Sequence, residues 1–205
     1  MRAIAVSLAA FAATISAAFL STSASADGLY RTSTGPGGAD FSGLAVGIDV
    51  GAGFGTGGSL NTSGAVAGVH AGYNLQNGPI VGGVEADALF GSVSGGLDGV
   101  ASYSVNTLSS AHVKAGYAIG DIMGYGLLGW GFSTTNYQLN GATVNKTIDG
   151  IVFGVGAEYA LTRAITARAE LRRYDFGSNG YSFPARSTTT STDSNMVLIG
   201  LSTHF

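Results

Sequence analysis

The sequence predicts an all-β fold, an eight-stranded antiparallel up-and-down transmembrane β-barrel with short periplasmic turns and longer external loops. Three observations predict it. Apolar and polar residues alternate with a period of two along most of the chain, the signature of strands with two unlike faces. The links between those strands are short and long by turns, as in barrels whose periplasmic and external ends differ. Only 10% of the 205 residues are charged while 34 are glycine, about 17% where about 7% is usual. In a soluble sandwich or lipocalin-like barrel the polar face of each strand meets water and should be rich in Lys, Glu and Thr. Here glycine dominates that face, with isolated charges.

The chain opens with a segment to be set apart from the fold. Arg2, the apolar run "AIAVSLAAFAATISAAFL" and the small residues "SASA" predict a secretory signal peptide over residues 1–26, cleaved after Ala26. Residues 27–40, "DGLYRTSTGPGGAD", are expected to be a flexible lead-in, and residues 41–205 to form the barrel. Beyond the signal segment there is no run of 18 apolar residues, so a membrane would be crossed by strands. The absence of cysteine excludes a disulfide framework and a Cys-ligated metal. A formal net charge of −3 without a basic patch argues against nucleic acid as a partner.

The strands follow in order. The first sets Leu44, Val46, Ile48 and Val50 against Gly43, Ala45, Gly47, Asp49 and Gly51. The second sets Ala65, Ala67, Val69, Ala71 and Tyr73 against Gly68, His70, Gly72 and Asn74, and the third Val84, Ala86 and Ala88 against Gly83, Glu85 and Asp87. In the fourth, Ala111, Val113, Ala115 and Tyr117 alternate with Ser110, His112, Lys114 and Gly116. The fifth, within residues 122–132, is apolar on both faces, so alternation does not assign its sides. The sixth opposes Ile151, Phe153, Val155, Ala157 and Tyr159 to Gly154, Gly156 and Glu158; the eighth carries Val197, Ile199, Leu201, Thr203 and Phe205 on one face. Links near 75–79, 118–121 and 161–164 are short. Those near 53–63, 92–104, 133–148 and 177–193 are longer and rich in Gly, Ser, Thr and Asn.

The seventh strand, "ITARAELRRYDFG", places Arg168, Glu170 and Arg172 on one face and Ala167, Ala169 and Leu171 on the other. If the apolar face meets lipid, the charges face the lumen, which in an eight-stranded barrel is just wide enough to be filled by side chains. Glu85, Asp87, His112, Lys114 and Glu158 lie on the same inward faces. Such charges are retained away from water only when paired and hydrogen-bonded. The expected network joins Glu85 and Asp87 to Lys114, and Glu158 and Glu170 to Arg168 and Arg172, with the inward glycines making room.

The stretches "GVEADALFG", "GVGAEYALT" and "ARAELRRYDFG", with the closing Phe205, resemble the small porin-like outer-membrane immunogenic proteins of alphaproteobacteria, akin to the opacity proteins and the barrel domain of outer-membrane protein A. The resemblance implies residence in the outer membrane, with its lipid and lipopolysaccharide as surroundings. It also implies insertion by the barrel-assembly machinery, which recognises a last strand ending in Phe, the position of Phe205.

No catalytic, cofactor-binding or metal-ligating motif is recognisable. "GFGTGG" at residues 53–58 matches G-x-G-x-x-G, but no helix pattern follows it, as a nucleotide site requires. Ser110 lies near His112 on a face that looks away from lipid substrate, so no enzyme activity is expected. The functional expectation is a structural and surface-interaction protein whose lumen is plugged. Its recognition residues would sit on external loops, with Tyr103, Tyr137, Tyr181 and Phe183 as contact candidates and the ligand unknown. The alternative is a small-solute porin, which the strand number disfavours because aqueous channels belong to barrels of about 16 to 18 strands.

Overall fold

A computed structural model describes residues 38–57, 60–97, 101–139, 142–183 and 186–205. The signal segment, its cleavage point after Ala26 and residues 27–37 lie outside them. Eight strands follow one another: β1 (Gly43–Gly57), β2 (Leu60–Asn77), β3 (Ile80–Leu97), β4 (Ala101–Ile119), β5 (Ile122–Leu139), β6 (Ala142–Ala160), β7 (Ile165–Phe183) and β8 (Arg186–His204). Each pairs antiparallel with the next, and β8 returns to β1 to close the barrel. Closure leaves no free sheet edge, which is what a hydrocarbon surrounding demands of a backbone without water.

The alternation in the sequence decides which way each side chain points. Leu44, Ile48 and Val50 of β1 are exposed while Asp49 is buried, and Val84 of β3 is exposed while Glu85 and Asp87 are buried. The structure assigns the sides that alternation leaves open in β5: Met123, Tyr125 and Leu127 point inward, Leu128 and Trp130 outward. Exposed Tyr73, Tyr117 and Tyr159 ring the barrel near the short turns, and Phe54, Phe90 and Trp130 lie toward the opposite end, as aromatic girdles do at the two membrane interfaces. Beyond the second ring the outer wall turns polar, with Arg173 paired to Asp193 at 3.2 Å and Trp130 donating to Asp149 at 3.0 Å.

Strands β2 and β3 join through Gly78 and Pro79, and β4 and β5 through Gly120 and Asp121. Gly78 and Gly120 take φ of 59° and 60°, the left-handed conformation that tight hairpin turns place at a glycine. Thr162 closes the β6–β7 turn by accepting from the amides of Ala164 and Ile165 through Oγ1.

The opposite end departs from expectation. Most of the residues assigned to long loops continue the ladder: Phe54 pairs with Ser63, Tyr103 with Tyr137 and Tyr181 with Thr188. The strands are therefore 15 to 19 residues long, not 10 to 13, and the two ends differ in how far their hairpins extend. Toward this end both faces of a strand carry small and polar residues, so the period-two signal disappears although the backbone pairing persists. Gly53–Gly57 of the glycine motif belongs to this ladder within β1. The side chains of Tyr103, Tyr137, Tyr181 and Phe183 lie outside the described residues.

The start of the barrel also differs. Gly38–Asp40, placed above in the flexible lead-in, belong to its closed end. Ala39 donates its amide to Gly120 O at 3.0 Å, Phe41 donates its amide to Gln76 at 2.7 Å, and Asn74 donates to Phe41 O at 3.1 Å. In an eight-stranded ring β1 stands opposite the β4–β5 turn, so this segment crosses the mouth. Phe41, 0% exposed, is buried there in one apolar cluster with Val81 and Met123.

The core lies inside the barrel. The Phe41 layer closes the end with the short turns, and a second apolar layer of Val66, Leu89, Leu108, Tyr174, Phe176, Met196 and Leu198 fills the lumen toward the long hairpins. Tyr174 and Phe176 stack with centroids 5.9 Å apart. Glycines on facing strands make the space: a Cβ on Gly131 would lie 2.7 Å from the Tyr174 ring, and one on Gly53 2.7 Å from Met196 Sδ.

Candidate functional site

Between the two apolar layers lies a layer of charge. Glu85, Asp87, His112, Lys114, Glu158, Arg168, Glu170 and Arg172 all point into the lumen and are all at most 6% exposed. Each occupies the inward phase of its strand, and neighbouring glycines leave room for it: a Cβ on Gly156 would lie 2.6 Å from the Tyr125 ring.

Arg168 of β7 donates Nε and Nη2 to the two oxygens of Asp49, at 2.9 and 2.7 Å, and Nη1 to Glu85 at 2.6 Å. Arg172 donates Nε to Glu170 and Nη1 to Asp87, both at 2.6 Å. Strands β7 and β3 stand on opposite sides of the ring, so both guanidinium groups span the lumen. Such forked, charge-assisted bonds fix direction as well as pairing. Tyr125 donates to the other oxygen of Glu170 at 2.5 Å. Lys114 Nζ lies 3.2 Å from Glu85 and 3.7 Å from Glu158, and 5.1 Å from the centre of the Tyr125 ring.

The residues expected in the network are all in this layer, but Asp87 and Glu158 take other partners than expected. Asp87 goes to Arg172 instead of Lys114. Glu158, opposite Arg168 in register, instead accepts from Thr166 at 2.6 Å and lies 3.0 Å from His204 Nε2. Arg168 keeps the expected Glu170 at 3.6 Å, but its hydrogen bonds go to Asp49 and Glu85. The reason is reach: in so narrow a barrel a guanidinium on a long stem meets the far wall as readily as the next strand.

Residues 6–205 match the family described as outer membrane protein β-barrel domain. The chain belongs to that family. The 22 kDa outer membrane protein of Rhizobium leguminosarum bv. viciae is 31% identical over 140 residues, 67% of this chain and 64% of the relative, so this chain spans just under two thirds of that relative's length. The 25 kDa outer-membrane immunogenic protein of Brucella abortus biovar 1 (strain 9-941) is 28% identical over 150 residues, 72% of this chain and 69% of the relative. In fold the barrel is similar to Ail, the attachment invasion locus protein of Yersinia pestis (TM-score 0.54, 13% identity, 80% of this chain and 100% of that one). It is similar also to Neisserial surface protein A (TM-score 0.54, 17% identity, 80% and 98%). The protein is an integral protein of the outer membrane.

Within this outer-membrane barrel, the ionic layer holds residues that the charge pattern left out. Asp49 and His70 stood on the glycine face of their strands, which was the available signal: His70 Nδ1 lies 2.8 Å from Asp49 and its Nε2 2.8 Å from Ser202. His204 joins Glu158 and Thr166. Tyr125 carried no signal, because its strand is apolar on both faces. Ser110, beside His112 in the pattern, donates to Asp87 at 2.6 Å. Three buried atoms of the layer, Asp87 Oδ1, His112 Nε2 and His204 Nδ1, make no hydrogen bond.

Proposed function

We propose that this outer-membrane barrel is a closed scaffold. Its lumen is plugged by the ionic layer, it contributes to envelope integrity, and its extended hairpins meet ligands at the cell surface. The observation that carries the reading is the pair of guanidinium groups, Arg168 and Arg172, each bonded at 2.6 Å to a carboxylate across the lumen. Apolar layers above and below add to it, since a path for solutes would have to open all three. The immunogenic name of the Brucella relative supports display of the hairpins outside the cell. Lipid and lipopolysaccharide surround the apolar wall in this reading, and Phe205 serves the barrel-assembly machinery.

Conductance in a planar lipid bilayer tests the plug. The refolded wild-type chain is expected to be silent, and Glu170→Ala, which removes a carboxylate from both Arg172 and Tyr125, is measured beside it. Steady wild-type channels altered by the substitution would overturn the closed scaffold and put a small-solute channel in its place.

A further inference from the structure

We propose that the lumen binds one divalent transition-metal ion of the zinc class at Glu85, Asp87 and His112. The site is assembled by register: Glu85 of β3 stands directly opposite His112 of β4, and Asp87 opposite Ser110. One ligand atom from each of the three side chains lies within 4.8 Å of the others.

Two of these residues carry a buried atom without a partner. Asp87 Oδ1 and His112 Nε2 make no hydrogen bond, although the residues are only 6% and 4% exposed. His112 Nδ1 meets Ser110 Oγ at 3.3 Å, which leaves Nε2 as the ligand atom, 3.5 Å from Glu85 Oε1. That separation lies beyond the usual range of a hydrogen bond. It suits two ligands of one tetrahedral ion, which at metal–ligand distances of about 2.0–2.2 Å stand roughly 3.3–3.6 Å apart. A small inward movement of the remaining ligand completes the set.

Charge supplies the reason for an ion there. Among the described residues the layer holds five carboxylates, Asp49, Glu85, Asp87, Glu158 and Glu170, against three permanent cations, Lys114, Arg168 and Arg172. One divalent ion cancels that formal excess of two negative charges, in surroundings where an uncompensated buried charge is costly. The neighbouring guanidinium groups leave the site usable. Arg172 holds Asp87 through Oδ2, so Oδ1 is available. Arg168 and Arg172 would give up their bonds to Glu85 Oε1, at 2.6 and 3.5 Å, while Arg168 keeps both bonds to Asp49 and Arg172 keeps Asp87 across the lumen.

The inference rests on the plugged lumen in one respect: with both ends closed, the ion enters during folding. The test is therefore to refold the full chain with cobalt, a spectroscopic stand-in for zinc, remove unbound metal, and measure metal per chain together with the visible spectrum. The expected result is one ion per chain with the absorption of a four-coordinate centre made of the three side chains and one water. His112→Ala should weaken binding at least about tenfold, while His70→Ala, on the Asp49 side of the layer, keeps the full stoichiometry. If His112→Ala does not fold, His112→Gln replaces it. A folded wild-type protein that takes up no cobalt, or a folded His112 variant that binds like the wild type, overturns the site. Conductance of the same samples separates the two proposals: a silent protein without metal retires only the ion, and a conducting protein with metal retires only the plug.

Discussion

From Thr166 to Arg172 the inward face of β7 is charged and hydrogen-bonded; from Tyr174 to Phe176 the same face of the same strand is aromatic and stacked. Both regions are buried and fill the same tube, yet they resist change differently. In the ionic layer every side chain answers to named partners, and losing one leaves another charged group stranded. In the apolar layer the loss is one of area and shape. The chain places each kind of filling at its own depth along one strand.

The largest effect should come from breaking the ionic side of that comparison. Glu170→Ala takes one of two carboxylates from the buried Arg172 and the acceptor of Tyr125 and should destabilise by about 3–5 kcal/mol. Urea unfolding of the refolded barrel reads it, and an unchanged midpoint would mean that water already solvates the layer. Leu198→Ala, in the apolar layer and 1% exposed, should cost about 2–5 kcal/mol through lost transfer energy and a cavity. Added salt should leave both defects nearly unchanged, because buried charges are screened far less than exposed ones, and a strong salt response of the first would mean that solvent reaches the layer.

Tyr125→Phe keeps the ring against Lys114 but deletes the bond to Glu170, and should cost about 1.5–3 kcal/mol, the range for a hydrogen bond to a charged group. The smallest effects sharpen a second contrast, between the inside and the outside of one wall. A Cβ on Gly129 would overlap Ala111 O and the backbone of His112, so Gly129→Ala should cost about 1–3 kcal/mol. On the outer face Gly82 has nothing within 4 Å of such a Cβ, and Gly82→Ala should stay within about 0.5 kcal/mol. The same unfolding curves decide both, and equal costs would remove the steric reading of the inward glycines.

Much of the molecule is legible before folding. Where one face meets lipid and the other a packed lumen, alternation reports direction directly, so Arg168, Glu170, Arg172, Glu85, Asp87, Lys114, His112 and Glu158 could be assigned inward from pattern alone. Where both faces are alike the signal fails for opposite reasons. In β5 both faces are apolar, which concealed Tyr125. In the extended hairpins both are polar, which made paired strands resemble loops. Asp49 and His70 were visible on the inward face of their strands, but no nearby charge of opposite sign pointed to their membership.

By itself the sequence determined the strand count, the inward and outward faces of seven strands and the chemistry of the lumen, because a period of two is a local property of the backbone. Only the tertiary structure decided who pairs with whom. Closing the ring brings β3 and β7 face to face across a space one arginine can span, and it lays Ala39 across the mouth against the turn at Gly120. The Arg168–Glu85 contact joins residues 83 positions apart. Neither their spacing nor their order encodes it, since it is the curvature of the closed sheet that sets the distance.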